Sequence, residues 1–324
     1  MNKTIFTIIL FFTIIFTSNC SKDDNVVNSI SYRAVYTVLL GTSQELHISN
    51  LGSGEVESNT TRLTSGNYDM KPSWSKTGNM IAFFRYISGD LNNVPSCITK
   101  LCVINSDGTG YRELTAGTYG DFNPTWTRDG SNMIVFNRKN QSTGRWQAFI
   151  ISPTGSPGDE QPVSRLDEAI HTCMKDGRML TSTNLGIYAL TPNPGSVGTY
   201  ELVNRPDNTH FWQHFYLSPD ETILSFEHDQ DKNSNTFLDC YVCHVDFNVS
   251  TLTTTNITQM DTKSNLFWEG YPRWTSDSRY IGYHSNKSGT YQLYMYNVSD
   301  GTIQKVSTDA SKSYLYISFE NSPA

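Results

Sequence analysis

The chain has 324 residues, of which 37% are hydrophobic, 12% aromatic and 17% charged, and its formal net charge is −7. Such a mixture can bury a sizeable core, which excludes a disordered tail or a collagen-like fibre. An acidic balance with no cluster of Lys or Arg also excludes a surface built to grip nucleic-acid phosphates.

The first element in chain order is an export signal. Lys3 precedes the apolar run "IFTIILFFTIIF" at residues 5 to 16, which leads through "TSN" to Cys20. The run is shorter than the roughly 20 residues that cross a bilayer, so residues 1 to 19 read as a cleaved signal peptide. A Cys directly after the cleavage region resembles a bacterial lipoprotein box, although Asn19 stands where such boxes usually carry Gly or Ala. The resemblance implies lipidation of Cys20 and an outer-membrane anchor, with the folded domain on the periplasmic side or at the cell surface. "SKDD" at 21 to 24 resembles the Lys-acidic tag of surface-exposed lipoproteins, and a solvated tether over residues 20 to 31 explains the same charges. Loss of Lys3 with the signal makes the mature chain still more acidic.

The tether is followed by three strand-like runs: "AVYTVLL" (34 to 40), "LHISNL" (46 to 51) and "TRLT" (61 to 64). Next comes a phrase that recurs. "DMKPSWSKTGNMIAFF" (69 to 84) returns as "DFNPTWTRDGSNMIVF" (121 to 136) and "EGYPRWTSDSRYIGYH" (269 to 284). Two degenerate copies, "HTCMKDGRMLTS" (171 to 182) and "FYLSPDETILSF" (215 to 226), place His171 and Phe215 at the Pro position. Asp-Gly and its relatives between alternating apolar runs are hairpin turns, because those positions need positive φ or a side chain that tolerates it. Four strands in each unit of roughly 45 to 55 residues mark the blades of a propeller. The chain ends on "SYLYISF" (313 to 319), where the first strand of a new unit is due. Five full repeats and one blade stitched from both termini predict an all-β, six-bladed β-propeller of four-stranded blades over residues 32 to 324. Closure of that kind removes the exposed sheet edge that invites aggregation.

The pattern Pro-x-Trp-Ser-x-Asp-Gly, then an "IAF"-like strand, then "DG", then "LT", resembles the repeat of TolB-type six-bladed β-propellers. The resemblance covers residues 32 to 324 and is strongest in three copies. It implies a fold and a binding scaffold, with enzymatic relatives in the minority.

Loops from the fourth strand of one blade to the first of the next share a face with loops joining second and third strands. The long segments, 86 to 97, 116 to 123, 204 to 214, 228 to 238 and 259 to 271, all belong to that face, and loops on a rigid scaffold carry binding residues. Three features lie there. Asp69, Asp121, Glu168 and Glu269 each stand three residues before the Pro position, either as a ring for a cation or a basic group, or as acceptors for backbone at the start of their own blades. Trp212, Trp268 and Tyr271 compose either a flat platform for a sugar ring or a peptide aromatic, or packing between blades. Asp229, Asp231, Asn233, Asn235 and Asp239 alternate as calcium ligands do, but without the Gly that permits the sharp turn a solvated hairpin loop explains them better.

Five cysteines remain after Cys20: Cys97, Cys102, Cys173, Cys240 and Cys243. Cys97 and Cys102 fit either a small hairpin disulfide or free buried thiols. Cys240 and Cys243 lie three apart on one strand and face opposite ways. Neither a nucleophile elbow, a zinc-protease helix nor a glycine-rich phosphate loop occurs. His171, His210, His214 and His284 are placed to approach one face, as histidines do in some propeller lyases. The expected function is a non-enzymatic, lipid-anchored envelope module binding a protein or a glycan, with calcium as the one cofactor candidate and no nucleic-acid partner. The alternative is a carbohydrate-active lyase or hydrolase.

Overall fold

Apolar–polar alternation over short runs gives strands, and the computed structural model contains twenty-four of them, numbered β1 to β24, with no α-helix among the described residues. The structure describes residues 31 to 320 except 53–54, 91–92, 94–95, 184–185, 207–210, 230–239 and 262–266, with backbone alone at 55–58, 197, 211 and 229. The strands form six antiparallel sheets of four. One sheet runs β4 (Asp69–Trp74), β5 (Met80–Ser88), β6 (Ile98–Asn105) and β7 (Arg112–Glu113) from first to last. The sheet that closes the ring pairs the C-terminal β24 (Ser313–Phe319) with β1 (Ser31–Leu40), followed by β2 (Ser43–Gly52) and β3 (Glu55–Arg62). The expected six-bladed propeller, closed by strands from both termini, is therefore the observed fold.

The first strands of the other blades are β8 (Gly120–Trp126), β12 (Ala169–Cys173), β16 (Phe211–Leu217) and β20 (Glu269–Trp274). Together with β4 and β24 they touch one another in sequence around the ring, so they line its axis. The recurring phrase is this inner strand plus its turn. In the turn after β8, Asp129 accepts the Ser131 amide at 2.9 Å while Gly130 takes φ 93°, which is why Asp-Gly recurs there.

The Pro and the Trp of the phrase each have a structural reason. Every inner strand slips register against its neighbour at the Pro position, between Met70 and Ser73, Phe122 and Thr125, and Gly270 and Arg273 in the three strong copies. A residue inside such a bulge owes no hydrogen bond to the ladder, so Pro72, Pro124 and Pro272 cost none. The Trp ties neighbouring blades together: Trp126 Nε1 donates to the Ser73 carbonyl and Trp274 Nε1 to the Tyr216 carbonyl, both at 2.9 Å.

The core lies in wedges between blades. Val35, Leu46 and Ile48 of the closing blade pack on Trp74, Ile81 and Phe83 of the next. Ala82, Leu101 and Val103 pack likewise on Trp126, Ile134 and Phe136. Each such side chain contributes about 1.5–3 kcal/mol by leaving water, so the ring is held by repetition of one interface.

Candidate functional site

The bulges also build the axis. The residue just before the Pro position has positive φ in five inner strands: Lys71 (50°), Asn123 (52°), His214 (45°), Tyr271 (54°) and Tyr316 (54°). A non-glycine residue in this region costs about 1–2 kcal/mol, and a bulge re-aims its side chain. In the blade that begins with β12, His171 occupies the bulge instead, between Ile170 and Thr172. These six side chains converge. Lys71 Nζ donates to Asn123 Oδ1 at 2.8 Å and lies 4.1 Å from the Tyr271 ring and 5.4 Å from that of Tyr316. His214 sits 4.1 Å from Tyr271 and 6.2 Å from His171, and Tyr316 meets Tyr271 edge-on at 4.7 Å.

Behind this ring stands one buried carboxylate. Glu227 accepts the Tyr271 amide at 2.5 Å and shares a 2.8 Å hydrogen bond with His214 Nδ1. Burial pushes its carboxyl up to about 8, against the opposing pull of the Tyr271 amide and the Lys71 charge. Burial likewise pulls the Lys71 ammonium down to about 7. His171 and His214 are held well below the usual imidazole range, first by burial and then by neighbouring positive groups, Lys71 and Arg273 among them. His284, pulled down to about 3 by burial, stacks on Tyr271 at 5.5 Å. At neutral pH the imidazoles are therefore uncharged, and Lys71 is close to its own midpoint. The axis presents neutral rings, an amide and a titrating ammonium, which suits recognition of polar groups.

The four acidic residues singled out in the sequence are found inside their blades. Asp69 and Asp121 are buried and each faces the arginine opposite it on the second strand: Asp69–Arg85 and Asp121–Arg138 both close to 2.7 Å. Glu168 accepts the Tyr200 hydroxyl at 2.6 Å and the Arg165 amide at 3.2 Å. Glu269 is sealed from solvent, and burial and the nearby Asp261 push its carboxyl up to about 8. Pairing inside the blade accounts for Asp69, Asp121 and Glu168, whereas Glu269 is held by burial beside Asp261.

The aromatic residues separate. Trp212 is 1% exposed and stacks on Phe226 at 4.0 Å, so it fills a wedge rather than presenting a face. Trp268 is partly exposed and lies against Tyr271, His284 and Tyr291 at 6.0, 5.0 and 5.8 Å. Tyr271 is buried among them. The aromatic surface at the long-loop mouth is thus Trp268 with Tyr291 and Tyr316. Sequence reasoning missed Lys71, Asn123 and Tyr316. The signal lay in register: "SYLYISF" places Tyr316 where the phrase places Lys71, Asn123 and Tyr271.

Of the calcium candidates, Asp231, Asn233, Asn235 and Asp239 lie outside the described residues, and only the backbone of Asp229 is described. Cys20, with the signal and tether, lies outside them too, as does His210. The other five cysteines are buried free thiols.

No protein-family model matches the sequence, and no curated protein matches it either. Solved structures do. TolB from Acinetobacter baumannii superposes with a TM-score of 0.66 at 12% identity, covering 89% of this chain and 66% of that one. Hydrazine synthase from Kuenenia stuttgartiensis also gives 0.66, at 10% identity, over 91% of this chain and 47% of that one. An oligogalacturonate lyase from Vibrio parahaemolyticus gives 0.50 at 9% identity, over 86% of this chain and 75% of that one. This chain therefore spans about two-thirds of the TolB chain and about half of the synthase. At such identities the likeness is one of architecture: the chain folds as a TolB-type six-bladed β-propeller.

Proposed function

We propose that this protein is a non-enzymatic binding module of the bacterial envelope, lipid-anchored through Cys20, which receives a protein or glycan partner on its long-loop face. The observation that carries the reading is the axial ring: six inner-strand bulges, five of them with a strained residue, bring Lys71, Asn123, His171, His214, Tyr271 and Tyr316 together under that face. Asp69, Asp121 and Glu168 are engaged within their blades and offer the partner no free carboxylate. The TolB neighbour agrees with an envelope binding role.

Two variants test it. Cys20→Ala moves the protein from the membrane fraction to the soluble fraction if the anchor is real. Trp268→Ala with Tyr316→Ala weakens binding to immobilised envelope glycans or proteins by at least about tenfold, a loss expected when two stacking faces go. Unchanged binding in a folded double variant removes the long-loop mouth as the site.

The rival reading is a polysaccharide lyase, favoured by the oligogalacturonate lyase neighbour and by the approach of His171, His214 and His284 to the axis. Among the described residues no group of three His, Cys, Asp or Glu is spaced to hold a metal ion. Appearance of unsaturated products from acidic polysaccharides would establish the rival.

A further inference from the structure

The opposite face of the propeller, where the tight turns lie, holds a second feature. The inner strands end there around a cavity of about 230 Å³, lined from Ser73, Thr125, Tyr216, Arg273 and Ser318 and from the turns that follow each strand. It lies beyond the axial ring, two residues further along each strand.

Two donors in its wall lack acceptors. The Arg273 guanidinium lies 3.2 Å from the Tyr216 ring centroid, and among the described residues it has neither a hydrogen bond nor an ion pair; its Nη1 is sealed from solvent. Burial alone pulls Arg273 down to about 9, which leaves it cationic at neutral pH. The Trp74 indole N–H also has no acceptor, whereas the equivalent groups of Trp126 and Trp274 bond to the preceding blade. Buried donors are nearly always satisfied, and each one left open costs about 1–3 kcal/mol, more if charged.

The charge around the cavity has one sign. Lys76, Arg128, Lys175 and Arg273 line it, and no Asp or Glu does. Arg128 is occupied, donating to the carbonyls of Ser218 and Pro219 and pairing with Glu221 at 3.7 Å. Lys76 and Lys175 are exposed and make no ion pair among the described residues. Asp129, Asp220 and Asp277, in the surrounding turns, each accept backbone amides of their own turn. A positive well in a chain of net charge −7 is a local design rather than a global bias.

We propose that this cavity binds a small organic carboxylate with a flat apolar body, with Arg273 as its principal contact. A guanidinium fork matches the two oxygens of a carboxylate, and Arg273 is half-buried and lines the cavity. The indole and phenol walls suit an aromatic or aliphatic body. The volume falls below the roughly 300–1,000 Å³ of pockets that take larger ligands, so a single small group fits and an oligomer does not. The inference stands whatever the long-loop face binds.

Phenylacetate is the probe, titrated into the full-length protein by calorimetry and by tryptophan fluorescence, with phenylacetamide as the neutral isostere and inorganic phosphate as the competing anion. The acid should bind saturably and at least about tenfold more tightly than the amide, and Arg273→Met should abolish that preference. Lys76→Gln with Lys175→Gln, both at exposed sites, should weaken the acid about threefold at low salt and little at high salt. If Arg273→Met fails to fold, the acid–amide ratio and the salt dependence of the lysine pair decide. Equal affinity for acid and amide, no saturable binding of the acid, a folded Arg273→Met that binds as wild type, a lysine pair without effect, or phosphate binding as tightly as phenylacetate would each overturn the proposal.

Discussion

Among individual residues, the buried carboxyls carry the clearest consequences. Glu269 holds its proton to about pH 8 in the folded chain, whereas an unfolded Glu releases it near 4.5. Between those values the folded state binds more protons, so its contribution to stability is complete below pH 4.5 and is lost as pH rises toward 8. The slope is at most about 1.4 kcal/mol per pH unit. Glu269→Gln, which cannot ionise, should therefore melt above wild type at pH 8 and close to it at pH 5; an equal offset at both pH values would contradict the assignment. Asp121 poses the opposite case, a buried charge already paired with Arg138. Asp121→Asn removes one of the two carboxylates on the guanidinium, leaving Glu160 at 2.8 Å, and should cost about 3 kcal/mol by urea unfolding, much of it recovered when Arg138→Met is added. The acidic positions were legible from the repeat, but their partners were missed. Arg85 and Arg138 follow at matching places in "IAFFR" and "IVFNR", and only the cross-strand register shows that they sit opposite the acids.

Among elements, the inner strand explains the repeated phrase. Pro fits where the ladder has slipped, Trp ties one blade to the previous one, and the residue before the Pro turns toward the axis. Trp126→Phe removes the hydrogen bond to Ser73 and should destabilise by about 1 kcal/mol more than Trp74→Phe, whose indole N–H has no acceptor to lose. Urea midpoints that order the two variants the other way would refute that role for the indole. Strand positions were readable because alternation and Asp-Gly turns are local signals. The bulges were not, because they arise where six strands crowd one axis. For the same reason Trp212 looked like a loop aromatic: its neighbours "HF" and "QHFY" resemble an exposed cluster until the strand is paired and Trp212 is seen stacked on Phe226.

For the whole molecule, closure is the governing feature. β24 supplies the inner strand of the first blade, so a chain ending before Ser313 leaves β1 as an unpaired edge on the axis. Such a truncation should lose the single cooperative melt of the full ring and aggregate, as open edges do; an unchanged melt would show that the ring does not need its clasp. The fold as a whole was legible from repeats and from the strand left over at the C-terminus. The second mouth was not, because Arg273, Lys76 and Lys175 are far apart in sequence and each looks like an ordinary surface charge beside a turn.

Binding without turnover can be checked by melting the propeller, residues 31 to 324, against envelope glycans, peptidoglycan fragments and peptides while the same mixtures are assayed for new reducing or unsaturated ends. A ligand at 100 times its Kd adds about 2.7 kcal/mol, a shift of several degrees in a domain of this size. A binding module should show such a shift with at least one of them and leave the ligand itself unchanged. Shortened or unsaturated products at catalytic yield would contradict it.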